Sequence, residues 1–137
     1  MMKRTLMAVA AIVSMLVLTS AFAAGDAAKQ IATAEVHAGM AATVKDINMV
    51  HAHLHHVINC LVGPKGKLFD NKAEDPCQGM GDGALNDLVD SPKLHAKLEM
   101  AVKHAERGIK STSYKKAHAA AVKVEALLKQ PDAAKPK

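Results

Sequence analysis

Aromatic side chains are almost absent from this chain. Its 137 residues include no Trp, one Tyr and two Phe. Proteins that bind single-stranded nucleic acids stack the bases on aromatic rings, and this chain has no such platform. Its net charge of +5 is mild and bears on solubility more than on nucleic-acid binding. We therefore expect no nucleic-acid partner.

Several signatures of cofactor and metal chemistry are also missing from the sequence. There is no Cys-x-x-Cys-His motif, which excludes covalently attached haem. The absence of His-Glu-x-x-His removes the common zinc-protease signature, and the absence of Glu-x-x-His disfavours a di-iron bundle. No set of nucleophile, base and orienting residue is visible. The sequence therefore predicts a protein that is not an enzyme.

The N-terminus has the organisation of an export signal. Lys3 and Arg4 precede an almost entirely apolar stretch over 6–18, and Ala21-Phe22-Ala23 supplies the small residues of a cleavage site. A membrane anchor is the alternative, but the stretch is short for a span of about 20 residues. We expect residues 1–23 to be cleaved and the protein to be periplasmic in a bacterium. After cleavage we expect a net charge near +3 and no membrane association.

Cysteine is scarce, with Cys60 and Cys77 as the only two. In an oxidising compartment, two cysteines in a small domain most simply form a disulfide. The bridge would close a loop of about 17 residues and contribute roughly 3 kcal/mol. The alternative is that Cys60 is a free thiolate that binds a metal.

Alternation of period two, the pattern of a strand, is almost absent as well. Good helix formers dominate, and apolar residues recur every three or four positions. This periodicity predicts four helical segments, over about 26–41, 44–62, 92–109 and 111–130. A cap formed by Thr43 and Asp46 would begin the second segment, and a break over 39–43 would separate it from the first. Ala84–Val89 is expected to form a short helical turn.

The segments indicate an all-α fold. We predict an antiparallel four-helix bundle with one long, disulfide-tied loop between the second and third helices. The bundle would be a single domain over 24–130, followed by a disordered tail over 131–137. A three-helix bundle with the first two segments fused is the alternative.

What the sequence does have is a dense histidine run, His51-Ala52-His53-Leu54-His55-His56. Neutral imidazole is the commonest protein metal ligand, so four imidazoles in six residues suggest a metal site. Projected on a helix with Leu54 facing the core, His51 and His55 share one edge and could clamp one ion together. His53 lies on the other edge, and His56 points mostly to solvent.

The run is therefore half of a site, which a second helix or the loop has to complete. On the edge with His53, the projection also places Met49 and Cys60. Single imidazoles lie at the core boundary of the other three segments and are candidates for completing the site: His37, His95 and His118.

The ligand types suggest which metal is bound. Imidazole suits copper, zinc, nickel and iron, and methionine shifts the preference toward copper. We expect a transition-metal ion, copper favoured over zinc or nickel. The alternatives are a structural or interaction module with a pH-sensitive histidine face and a bundle that binds haem non-covalently. The sequence leaves the oligomeric state open between monomer and homodimer.

Two short motifs resemble a known family. Ala101-Val102-Lys103-His104-Ala105-Glu106, and more loosely Lys116-Ala117-His118-Ala119, are similar to segments of the small metal-binding proteins of the bacterial periplasm. The resemblance covers 93–128 and, more weakly, 27–60. It implies an exported helical bundle that binds several divalent metals, copper among them, through helix-borne histidines. This chain has fewer histidines and an added cysteine loop, so we expect one or two sites.

Overall fold

The computed structural model describes residues 25–129. The predicted leader and tail, 1–23 and 131–137, lie outside these residues. Within 25–129 the regular elements are five helices and no strand, which confirms the all-α prediction for this part of the chain. None of these helices is both long and apolar enough to cross a bilayer. The helices are α1 (Ala27–Thr43), α2 (Ile47–Val62), α3 (Ala84–Asp87), α4 (Pro92–Ile109) and α5 (Tyr114–Leu128).

A short link over 44–46 separates α1 from α2, later in the chain than the break expected over 39–43. Thr43 is the last residue of α1, and its hydroxyl donates to backbone carbonyls three and four residues earlier, so its predicted part in the cap of α2 is wrong. The carboxylate of Asp46 then caps α2 by accepting from a first-turn backbone N–H at 3.0 Å. The two helices are distinct, so the fused three-helix alternative is wrong.

The core is aliphatic and lies between the four long helices. Helix α1 packs against α2 and α5, and α4 packs against the same two helices. Leu54 and Leu98 are completely buried, and each such side chain contributes about 1.5–3 kcal/mol relative to exposure. The buried faces of α1 and α5 are mostly alanine, which lets these helices approach their neighbours closely.

The end of α2 is fixed by a glycine and a disulfide. Gly63 adopts a φ of 70°, which favours glycine, and caps the helix. Cys60 and Cys77 form the predicted disulfide, with their Cα atoms 5.1 Å apart. Cys60 is therefore not a free thiolate, and the alternative that it binds a metal is wrong.

Asn59, one residue before the disulfide, holds the following loop against α2. Its side chain is 1% exposed. The amide donates to the backbone carbonyls of Asp70 at 3.0 Å and Glu74 at 3.2 Å, and its oxygen accepts from the N–H of Asp70 at 2.9 Å. The loop therefore follows one path across α2 before it reaches α3, which lies within the short turn expected over 84–89.

Asn59→Leu tests this attachment. Leucine has a similar volume but leaves the three loop groups without their partner, so we expect the free energy of unfolding to fall by about 2 kcal/mol. Urea unfolding followed by circular dichroism measures the change. Asn48→Leu, at an exposed position of the same helix, is the control and should alter stability by less than about 0.5 kcal/mol. Equal stability of both variants would show that the loop does not need Asn59.

Candidate metal centre

Three histidines from α1 and α2 meet at the surface between these helices. His53 and His56 are one helical turn apart and therefore share a face of α2. His37 lies on α1, which packs beside that face. All three side chains are half-buried. Two helices thus contribute to one cluster, which we call the histidine triad.

The ring nitrogens of the triad converge. Nδ1 of His37 lies 3.2 Å from Nδ1 of His53 and 3.1 Å from Nδ1 of His56. One nitrogen from each ring lies within 4.8 Å of the other two. The ring centroids are 4.8–5.6 Å apart, and the ring planes are tilted or perpendicular to one another. The three rings therefore present their nitrogens to one small volume.

These separations are compatible with a shared metal ion as well as with hydrogen bonds. A neutral imidazole nitrogen has one proton or one lone pair. Nδ1 of His37 therefore makes a full hydrogen bond to only one neighbour at a time. Around a tetrahedral ion with metal–nitrogen distances near 2.05 Å, adjacent ligand nitrogens lie about 3.3 Å apart. The two nitrogen pairs that include His37, at 3.2 and 3.1 Å, are close to this spacing, and the three histidines could hold an ion.

Electrostatics keeps two of the rings in the form that binds metal. Burial lowers the pKa of His37, and the neighbouring His56 and His53 lower it further. Burial is also the main cause of the lowered pKa of His56, with His53 adding to it. Only the neutral ring coordinates a metal, so these shifts extend the binding-competent form to lower pH.

Glu74 opposes both of these pKa shifts. Its carboxylate raises the pKa of His37 and of His56, so it lies close enough to act on both rings. Glu74 belongs to the loop held by Asn59, whose amide binds the Glu74 carbonyl. The loop therefore places a negative charge near two of the three imidazoles, which suits a bound cation.

Two of the other predicted ligands bind backbone carbonyls. Nε2–H of His51 donates to the carbonyl of Ser111 at 3.1 Å, which links α2 to the turn between α4 and α5. Nε2–H of His118 donates to the carbonyl of Ala42 at 2.9 Å, which links α5 to α1. In the structure both imidazoles connect helices.

The remaining two predicted ligands face carboxylates. Nδ1 of His55 lies 3.3 Å from Asp70, and Nδ1 of His95 lies 3.8 Å from Glu99, one turn along the same helix. The structure thus brings together three of the seven predicted ligands and places the other four apart from them. Metal binding by those four stays a prediction.

The projection of α2 alone was wrong about His56, which it placed mostly in solvent. Helix α1 covers this part of α2, so His56 meets His37 instead of water. A usable signal was present in the sequence. His37 and His53 lie eight residues before and eight residues after Lys45, in the middle of the link. Residues equally far from a short link meet when the two helices pack together. Glu74 has no comparable signal, because its position depends on the path of the loop.

Comparison of the chain with protein-family models, curated proteins and solved structures yields no match. The resemblance to the small metal-binding proteins therefore remains an expectation, and the candidate metal centre is supported by the geometry of the triad.

The lowered pKa values predict that acid destabilises the metal-free protein. Histidine in the unfolded chain titrates near pH 6.5, whereas His37 and His56 titrate lower when folded. Below about pH 6.5 the unfolded state therefore binds more protons, so stability decreases as the pH falls through this window. Urea unfolding of metal-depleted protein at about pH 7.5 and about pH 5 measures the loss.

The double variant His37→Gln/His56→Gln is the control for this pH dependence. It lacks the two shifted groups, so it should lose less stability than the parent protein between the same two pH values. An unchanged pH dependence would place the responsible groups elsewhere.

Proposed function

We propose that this protein binds a divalent transition-metal ion through His37, His53 and His56. The observation that carries the proposal is the convergence of three ring nitrogens, one from each histidine, within 4.8 Å. Proteins commonly bind zinc and copper through three imidazoles, with a further position left for water or another ligand. The role we propose is non-enzymatic buffering or sequestration of the metal.

Copper is the metal we favour over zinc and nickel. The three candidate donors are imidazole nitrogens, which suit all three metals. For a site of given donors, affinity among the divalent ions rises toward Cu²⁺ and is lower for Zn²⁺ and Ni²⁺. The preference therefore follows from the general order of affinities. It does not need methionine, since Met49 is 46% exposed and lies outside the triad.

We place the protein in the bacterial periplasm. The export signal predicted over 1–23 supports this location, and so does the Cys60–Cys77 disulfide, because such bonds persist mainly in oxidising compartments. The small metal-binding proteins that the sequence resembles are also periplasmic and bind metals through histidines, which agrees with this proposed location.

We also infer that α1, α2, α4 and α5 form an antiparallel four-helix bundle. Each of these helices packs against at least two of the others. Short links join α1 to α2 and α4 to α5, as is common between antiparallel neighbours. In this arrangement the long loop connects the two helix pairs.

The size of the cluster favours an ion over haem. The three ring centroids are only 4.8–5.6 Å apart, so a porphyrin does not fit between the rings. The other alternative, a pH-sensitive interaction module, needs no metal. Titration with metal ions distinguishes it from our proposal.

Removing any one imidazole of the triad should disable the site. We expect His37→Ala, His53→Ala and His56→Ala each to weaken Cu²⁺ binding more than about 100-fold, because even residues that only support a ligand cost 10–100-fold. Isothermal titration calorimetry with Cu²⁺, Zn²⁺ and Ni²⁺ in separate runs measures the affinities and their order.

His95→Ala is the matched control, since His95 lies on α4 beside Glu99 and away from the triad. It should retain the affinity of the parent protein. Equal affinity in the triad variants and the parent would refute the site. A loss in His95→Ala as large as in His37→Ala would mean that the histidines bind metal without a defined centre.

Glu74→Gln tests the contribution of the loop. The amide removes the negative charge beside the triad at almost unchanged size, so we expect Cu²⁺ affinity to fall about tenfold, at the lower end of the range for a supporting residue. Glu99→Gln on α4 removes the same charge elsewhere and should leave affinity unchanged. An equal decrease of Cu²⁺ affinity in both variants would show that only the net charge of the protein matters and that the position of Glu74 does not.

A further inference from the structure

A second cluster of polar side chains lies between α4 and α5, on elements that contribute nothing to the triad. A groove of about 300 Å³ follows the seam between these helices. Its open space arises where α5 presents the small side chains of Ala119 and Ala120. The polar residues that line it are His104, Arg107, Ser111, Lys116 and Lys123.

The charge of this groove is of one sign. Arg107, Lys116 and Lys123 are all exposed, and none of the residues lining the groove is acidic. The lysines that directly follow α4 and α5 are paired, since Lys110 lies beside Glu106 and Lys129 lies beside a glutamate one turn earlier. Within residues 25–129 the three groove cations form no salt bridge. The described residues therefore supply no carboxylate partner for these three charges.

His104 shows that two of these cations act on the interior of the groove. Burial lowers its pKa, and the positive charges of Arg107 and Lys123 lower it further. The imidazole is half-buried, so it lies in the groove instead of extending into water. A neutral imidazole adds an N–H donor to the guanidinium and ammonium donors around it. The donors of four side chains thus surround one space.

We propose that this groove binds a small anion carrying a phosphoryl group. A guanidinium matches two phosphate oxygens at once, and lysine ammonium groups add charge without a fixed geometry. Three positive charges around one groove suit a multivalent oxyanion better than a single carboxylate. A nucleic acid is disfavoured, because bases stack on aromatic side chains and no aromatic residue lines the groove. The site is independent of the metal proposal.

Calorimetric titration of metal-depleted protein with pyrophosphate, inorganic phosphate and acetate tests the proposal. We expect affinity to decrease in that order, because the charge of the anion decreases in that order. In parallel, NMR at constant pH follows the ring protons of all the histidines within the described residues. Pyrophosphate should shift the His104 signals and leave those of His37 unchanged.

Charge-removing variants identify the residues responsible. Arg107→Gln and Lys123→Gln should each weaken pyrophosphate binding by about fivefold, the upper end for one exposed charge pair. Lys93→Gln is the matched control, since Lys93 is exposed in the first turn of α4, about 20 Å along the helix from Arg107. It should bind like the parent protein. Circular dichroism confirms that each variant keeps its helix content.

Three results would overturn the proposal. Acetate binding as tightly as pyrophosphate would remove the preference for a phosphoryl group. An equal loss of pyrophosphate affinity in Lys93→Gln and Arg107→Gln would show that the anion responds to the overall charge of the protein and not to the groove. Binding without a shift at His104 would place the anion elsewhere. All three leave the metal site untouched, because the protein is metal-free and the triad lies on α1 and α2.

Discussion

The candidate metal centre depends on one constraint, the short link over 44–46. Only three residues separate α1 from α2, and the two helices pack against each other. The position of the link then decides which residues meet, and it brings His37 to His53 and His56. A link of different length would shift α1 along α2 and separate the rings. The site is thus a consequence of local chain geometry more than of the density of histidines.

The loop between α2 and α3, which has little regular structure, also contributes to the surroundings of the triad. Such a segment positions a functional side chain only if it is attached to something rigid. Here the disulfide of Cys60 and the buried amide of Asn59 fasten it to consecutive positions at the end of α2. These attachments lie on the same helix as His53 and His56. Helix α2 therefore carries two metal-binding candidates and also fixes the path of the loop that brings Glu74 to them.

The sequence predicted the parts of this arrangement that depend on local signals. Helical periodicity and the pairing of the two cysteines depend on nearby residues or on few alternatives. The contact of His56 with His37 cannot be predicted from nearby residues, because a projection of one helix contains no information about the helix that covers it. His51 shows the same limit. The helix projection predicts that it clamps an ion together with His55, but it binds a backbone carbonyl in a turn 60 residues later in the chain.

The role of each histidine in the structure depends on the groups that surround its imidazole. A half-buried imidazole needs a partner, and a backbone carbonyl or a carboxylate satisfies it, as for His51, His118 and His55. Within the triad the partners of each imidazole are other imidazoles, which satisfy one another incompletely and repel when protonated. The charges nearest to His104 are those of Arg107 and Lys123, which favour its neutral form, and in that groove we propose an anion. The same side chain type thus belongs to a proposed cation site on one pair of helices and to a proposed anion site on the other.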